Sequence, residues 1–181
     1  MEKIALCKKC GLTKPDLLVI IPRTAEDIID FICESCYLKA KDENLRRILT
    51  IINDLKTDFK SLKSLESAYI PNIQTKADFN AILAKKYGGY RTIWHGTFNH
   101  INALSNCVAQ IDIKQYPRVY MCEFVLRQWH IALKNSTEAM NGETPILISK
   151  SFYLLKYALE FAKFEILKAL GEDIKDGGAA K

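Results

Sequence analysis

Residues 33–62 read CESCYLKAKDENLRRILTIINDLKTDFKSL, and two patterns overlap in them. The apolar residues Leu45, Ile48, Ile52, Leu55, Phe59 and Leu62 recur at a 3-4-3-4-3 spacing. With about 3.6 residues per turn, that spacing puts all six on one seam of a helix, expected to run from Cys36 to about Ser67. Such a seam serves either a coiled-coil dimer or packing within the chain. Six positions fall short of the roughly three to four heptads that a sustained coiled coil requires, so packing within the chain is the expectation and a dimer the alternative. At the start of the stretch, Cys33-Glu34-Ser35-Cys36 opens the helix with a pair of thiols.

A second pair lies upstream in Cys7-Lys8-Lys9-Cys10-Gly11, where a glycine after the second thiol lets the backbone turn tightly and aim amides at sulfur. Between the pairs, the apolar run at 17–21, bounded by Pro15 and Pro22, suits a strand of a small hairpin. Two short chelating loops need only one long closure to bring four soft donors to the corners of a tetrahedron. The expectation is one structural zinc ion held by Cys7, Cys10, Cys33 and Cys36. Reduced core cysteines, a redox Cys-x-x-Cys and rubredoxin-like iron are the alternatives. A redox pair has no need of a second pair, and rubredoxin-like iron usually has a knuckle on both sides, whereas here the second pair starts a helix.

A knuckle, short strands and a Cys-x-x-Cys that opens a helix resemble a treble-clef zinc finger. The stretch CESCYLKAK is loosely similar to the corresponding part of GATA-type fingers. The resemblance covers about residues 5–45 and implies a small zinc-organised module, often used on nucleic acid. The spacer of 22 residues is longer than GATA-type fingers usually show, and the typical Asn in each pair is missing. No DNA-reading residue carries over. Residues 1–47 hold nine basic and eight acidic side chains, and four thiolates with one divalent ion would leave this stretch at about −1. A phosphate-binding module should be visibly basic, so Lys8, Lys9 and Lys14 are read as balancing the thiolates.

The 181 residues, 49% hydrophobic and 26% charged, are enough for an ordinary core and exclude a disordered or low-complexity chain. No basic segment followed by an apolar one opens the sequence, and every long apolar stretch is interrupted by charge, so neither a secretory signal nor a membrane span is expected. Four of the six cysteines stand in metal-type pairs, with Cys107 and Cys122 alone in helical patterns. That usage points to a reducing compartment, cytoplasm or nucleus.

Further along, Thr75 and Asp78 open an expected short helix over 76–87 that stops at Gly88-Gly89. Thr92 caps the next, reaching about Gln110 with Gly96 as a weak point. Pro117 suits the first turn of a helix ending near Asn141-Gly142, and Thr144-Pro145 starts the last, ending near Gly171. The last helix is apolar almost all round, which places it at the centre of a bundle or against a partner. The fold class is mainly α: a zinc-finger module over 1–44, a bundle of about five helices over 45–175, and a disordered tail over 176–181.

The net charge of +5 sits mainly in the middle, where residues 68–118 carry six basic and two acidic side chains. Lys76, Lys85, Lys86, Tyr90, Arg91, Lys114 and Arg118, interleaved with Phe79, Trp94, Phe98 and Tyr116 around the Gly-Gly turn, could contact a single strand or an RNA loop in preference to a duplex. The competing reading makes the aromatics core and the lysines solvated. His95 and His100 are five apart and diverge around a helix. Arg91 with His95, and Arg127 with His130, miss the Arg-x(4–6)-His spacing of helical HEPN ribonucleases. No phosphate loop, nucleophile elbow or His-Glu-x-x-His helix is present. A non-enzymatic zinc-finger protein associated with nucleic acid is the first expectation. A protein-interaction adaptor or homodimer, using the helices at 45–65 and 145–170, is the alternative.

Overall fold

The seam beginning at Leu45 is buried along its length: Leu45, Ile48, Ile52, Leu55, Phe59 and Leu62 expose between 0% and 2% of their surface. In the computed structural model, which describes residues 6–13, 17–20, 30–69, 90–138 and 148–172, this seam lies on a single 36-residue helix, α1, Glu34–Tyr69. Before it come two strands, β1 Leu17–Ile20 and β2 Asp30–Cys33. After it come α2 Tyr90–Val108, α3 Pro117–Glu138 and α4 Ile148–Ala169. The chain is mainly helical. The helix expected over 76–87, the stops at Gly88-Gly89 and Asn141-Gly142, the start at Thr144-Pro145 and the tail at 176–181 lie outside the described residues.

Two units divide after Leu45: Met1–Leu45 and Arg46–Lys181. In the first, β1 and β2 pair antiparallel with Leu17 opposite Cys33 and Ile20 opposite Asp30. Its buried cluster consists of Cys7, Ile32 and Cys33, with Leu17 and Cys36 packed against it.

In the second unit, α3 packs along α2 and α4 along α3. Each helix buries residues at helical spacing: Trp94, Thr97, Ile101, Leu104 and Val108 on α2; Val119, Cys122, Leu126 and Trp129 on α3; Leu155, Leu159, Ala162 and Ile166 on α4. Aromatic rings join α1, α2 and α3. Trp129 meets Phe59 edge-on at 5.7 Å and Trp94 at 5.8 Å between centroids, and Trp94 meets Phe98 at 5.3 Å. Such offset contacts each contribute about 0.5–1.5 kcal/mol beyond area burial.

Carboxylates from other helices close two helix starts. Glu165 of α4 accepts the amides of Arg118 and Val119, both at 3.0 Å, in the first turn of α3. Pro117 at the head of that turn has no amide to satisfy. Glu66 of α1, only 3% exposed, accepts the amide of Ile148 at 3.1 Å where α4 begins. At its other end α4 stops at Gly171, whose φ of 68° is the left-handed conformation that favours glycine. Gly171 donates to the Lys168 carbonyl at 3.2 Å and Glu172 to that of Leu167 at 3.0 Å, the paired bonds of a Schellman ending. Glu172 also meets Arg46 of α1 at 2.6 Å.

One expected helix start shifts: α2 already includes Tyr90, so Thr92 is an exposed residue of its first turn and not its cap. The first described amide of α4, that of Ile148, is held by Glu66, 82 positions away in sequence.

Gly96 does not interrupt α2, and a Cβ built on it meets nothing within 4 Å. Gly96→Ala is therefore expected to raise unfolding free energy by up to about 1 kcal/mol. Leu55→Ala, at a position with no exposure, is expected to lower it by about 2–5 kcal/mol. Chemical denaturation of the two variants beside the parent checks both signs.

Candidate metal centre

The first knuckle is shaped by its own backbone. Gly11, at φ 71°, donates to the Cys7 carbonyl at 2.8 Å, and the Cys7 amide donates to Leu12 at 3.1 Å. Space around Gly11 is open, so the positive φ alone makes glycine the suitable residue there. A bond of 2.8 Å from the Lys8 amide to the Phe31 carbonyl fastens the knuckle to β2. That strand ends on Cys33, and α1 starts at the next residue, putting Cys36 in its first turn. A helix N-terminus favours a thiolate because its amides present partial positive charge.

These elements bring the Sγ atoms of Cys7, Cys10, Cys33 and Cys36 within 4.8 Å of one another. Cys7 and Cys33 are buried, Cys36 is half-buried and Cys10 is exposed. The Cys33 amide donates to Cys7 Sγ at 3.4 Å, and Ser35 Oγ lies 3.3 Å from Cys33 Sγ. The amide from Cys33 is the main cause that pulls the Cys7 thiol down to about 6. Ser35 leads the causes that lower Cys33. Cys36 moves the other way, to about 12, chiefly through its contact with Cys33 and then through burial. The protein prepares some sulfurs to ionise, and their nearness penalises the next.

A divalent cation removes that penalty, because metal binding and deprotonation are linked. Four sulfurs around zinc at about 2.3 Å stand about 3.8 Å apart, a separation inside the 4.8 Å limit of this cluster. The donor set is soft and wholly thiol. An ion held by all four would have no protein-free position at a tetrahedral centre, the form that structural sites take.

Among the described residues, the other candidate side chains do not converge. Lys76, Lys85 and Lys86 lie outside the described residues, as do the side chains of Tyr90 and Arg91 on the first turn of α2. Lys114 is exposed in the turn before α3, its amide held by Asp112 Oδ1 at 3.0 Å. Arg118 is exposed on the first turn of α3, 5.8 Å from the ring centres of both Phe161 and Phe164. Trp94 and Tyr116 are buried, and Phe98 belongs to the ring cluster, so these aromatics serve packing. His95 is exposed, His100 Nδ1 lies 2.8 Å from Asp58 Oδ2, and His130 stacks on Phe98 at 4.2 Å. The three imidazoles have three separate environments.

Sequence reasoning missed the buried carboxylates. Glu66 falls four residues after Leu62, at the next seam position, so a charge where the pattern requires an apolar residue was the available signal. Glu123, 7% exposed, accepts Ser105 Oγ at 2.6 Å and Arg127 Nε at 2.8 Å. Its i,i+4 spacing to Arg127 was visible, but Ser105 was not. Comparison with protein-family models, with curated proteins and with solved structures found no match.

Two thiols stand apart from the cluster. Cys107 and Cys122 are each 1% exposed, and burial, with Glu123 beside it, pushes the Cys122 thiol up to about 12. Under chelation without denaturant, a thiol-reactive dye is expected to label the four clustered cysteines rapidly and these two only on unfolding. Mass mapping of the labelled peptides reads the order.

Proposed function

We propose that this chain is a non-enzymatic scaffold whose N-terminal unit is a treble-clef finger organised by one structural zinc ion, and which pairs with a second copy of itself. The zinc reading draws support from the all-thiol donor set and its closed geometry. The treble-clef reading draws on the order of knuckle, antiparallel hairpin and helix, with the second thiol pair at the junction of β2 and α1.

The observation that carries the pairing is the outer face of α3 and α4. Leu154, Tyr157, Phe161 and Phe164 of α4 recur at 3-4-3 spacing and are 62%, 57%, 57% and 42% exposed. On α3, Met121, Phe124 and Ile131 are exposed as well. The two faces meet where Arg118, Met121, Cys122, Ala158 and Phe161 line a shallow, mainly apolar depression of about 230 Å³. Seven large side chains about half exposed present on the order of 700–800 Å², close to one partner's share of a standard interface and above the usual apolar patch of a monomer. A stripe at this spacing suits helix-on-helix pairing, and a two-fold axis lets the same patch serve both copies. By contrast, the α1 seam from Ile48 to Leu62 is consumed within its own chain.

This reading favours the interaction role over the nucleic-acid role expected of the middle stretch. Trp94, Phe98 and Tyr116 are committed to packing, and Arg118 lies beside the apolar face. Zinc shapes the N-terminal unit, and the pairing surface belongs to the bundle.

Sedimentation velocity over a micromolar concentration series is expected to show a dimer for the parent chain and a folded monomer for Tyr157→Glu/Phe161→Glu. A parent chain that stays monomeric at every concentration would overturn the pairing.

A further inference from the structure

On the α1 side of α4, away from its outer apolar face, a second cluster has no part in the scaffold reading. Lys56, Lys60 and Lys156 line a cleft of about 220 Å³ whose apolar lining is Phe59, Phe152 and Leu159. Lys63, one turn along α1, stands 4.1 Å from the centre of the Phe152 ring and 4.9 Å from that of Tyr153. Glu160 is the only carboxylate among the described lining residues, and Lys56 holds it at 2.6 Å. Lys60 and Lys156 make no ion pair among the described residues. Three lysines thus share the lining with one carboxylate while Lys63 stands beside it over Phe152, and repulsion among the ammonium groups falls when an anion enters.

The lining narrows the anion's chemistry. Ammonium groups hold phosphate as point charges. Phe152, half-buried and with Lys63 over one face of its ring, leaves its other face and edge as the aromatic surface that a planar body can meet. The start of α4, the other natural phosphate seat nearby, has its Ile148 amide occupied by Glu66. A cavity of this size is below the roughly 300–1,000 Å³ of sites that enclose a drug-sized ligand. It suits one flat ring inserted from the surface with its charge left at the mouth.

We propose that the cleft between α1 and α4 binds a nucleotide unit, its phosphate between Lys60 and Lys156 and its base against Phe152. Basic residues tracking phosphate beside an aromatic platform are the means by which proteins hold unpaired bases without reading sequence. The unit comes either as a free mononucleotide or as one residue of a single strand, and the chemistry of capture is shared.

The test is fluorescence anisotropy of the full-length, metal-loaded protein with an end-labelled oligothymidylate. AMP and inorganic phosphate compete at matched ionic strength. The expected result is binding by the parent chain and a loss of roughly tenfold or more in Lys60→Glu/Lys156→Glu. Thermal melting and sedimentation of that variant are expected to match the parent, since both lysines are exposed. Lys39→Glu/Lys168→Glu, with the same change in net charge, is expected to bind within a few-fold of the parent. Competition by AMP supports a free-nucleotide source, and binding of the strand that AMP does not compete supports a strand source. The proposal is overturned if the parent does not bind, if both double variants weaken binding equally, or if inorganic phosphate displaces the strand at concentrations at which AMP does. Dimerisation is read separately by sedimentation, so either proposal can fail alone.

Discussion

Four sulfur atoms confined within 4.8 Å of one another cannot all carry charge at moderate cost unless a cation lies among them. This constraint weighs heavily on the N-terminal unit because, among its described residues, the elements are small. The strands are four residues each, and the buried cluster described there encloses Cys7, Ile32 and Cys33. A hairpin of that size is marginal in water without a staple. Among the described residues Cys7 and Cys33 thus serve both as potential donors and as buried core, so an ion held by the cluster would join ligation to folding.

The helical unit is held differently. Apolar seams on α1, α2, α3 and α4 supply most of the driving force, and the carboxylates solve a problem those seams create. Packing helix ends inside a bundle strands the first amides of each helix. Glu165 and Glu66 accept those amides from across the bundle. Burial is costly for a carboxylate, but charge-assisted bonds to a helix N-terminus, favoured also by its dipole, offset that cost. A helix start fixed in this way depends on tertiary contact, so the start of α4 is inseparable from its docking on α1.

What the sequence made legible follows the range of the interactions involved. The 3-4-3-4-3 spacing on α1, the two Cys-x-x-Cys pairs, the Pro117 start and the Gly171 stop are local signals, and each has its counterpart among the described elements. Groups far apart in the chain were not legible: Glu66 with Ile148, Ser105 with Glu123, Asp58 with His100. The mixed composition of α4 was visible as an all-round apolar helix. Which of its residues face inward, Leu155 and Leu159, and which face outward, Tyr157 and Phe161, depends on the position of α3 and α1 beside it. The lysine cleft escaped for the same reason, since Lys156 meets Lys60 only in three dimensions.

Three kinds of chemistry underlie the proposed roles: clustered thiols for an ion, an exposed aromatic face for pairing, and gathered ammonium groups for an anion. Among them the four-cysteine cluster has the most restrictive geometry. X-ray absorption at the zinc edge of protein purified without added metal tests it most directly. Four sulfur neighbours at about 2.3 Å, with no nitrogen or oxygen, are expected. Absence of zinc, or a light-atom neighbour in place of a sulfur, would contradict a closed structural site built from Cys7, Cys10, Cys33 and Cys36.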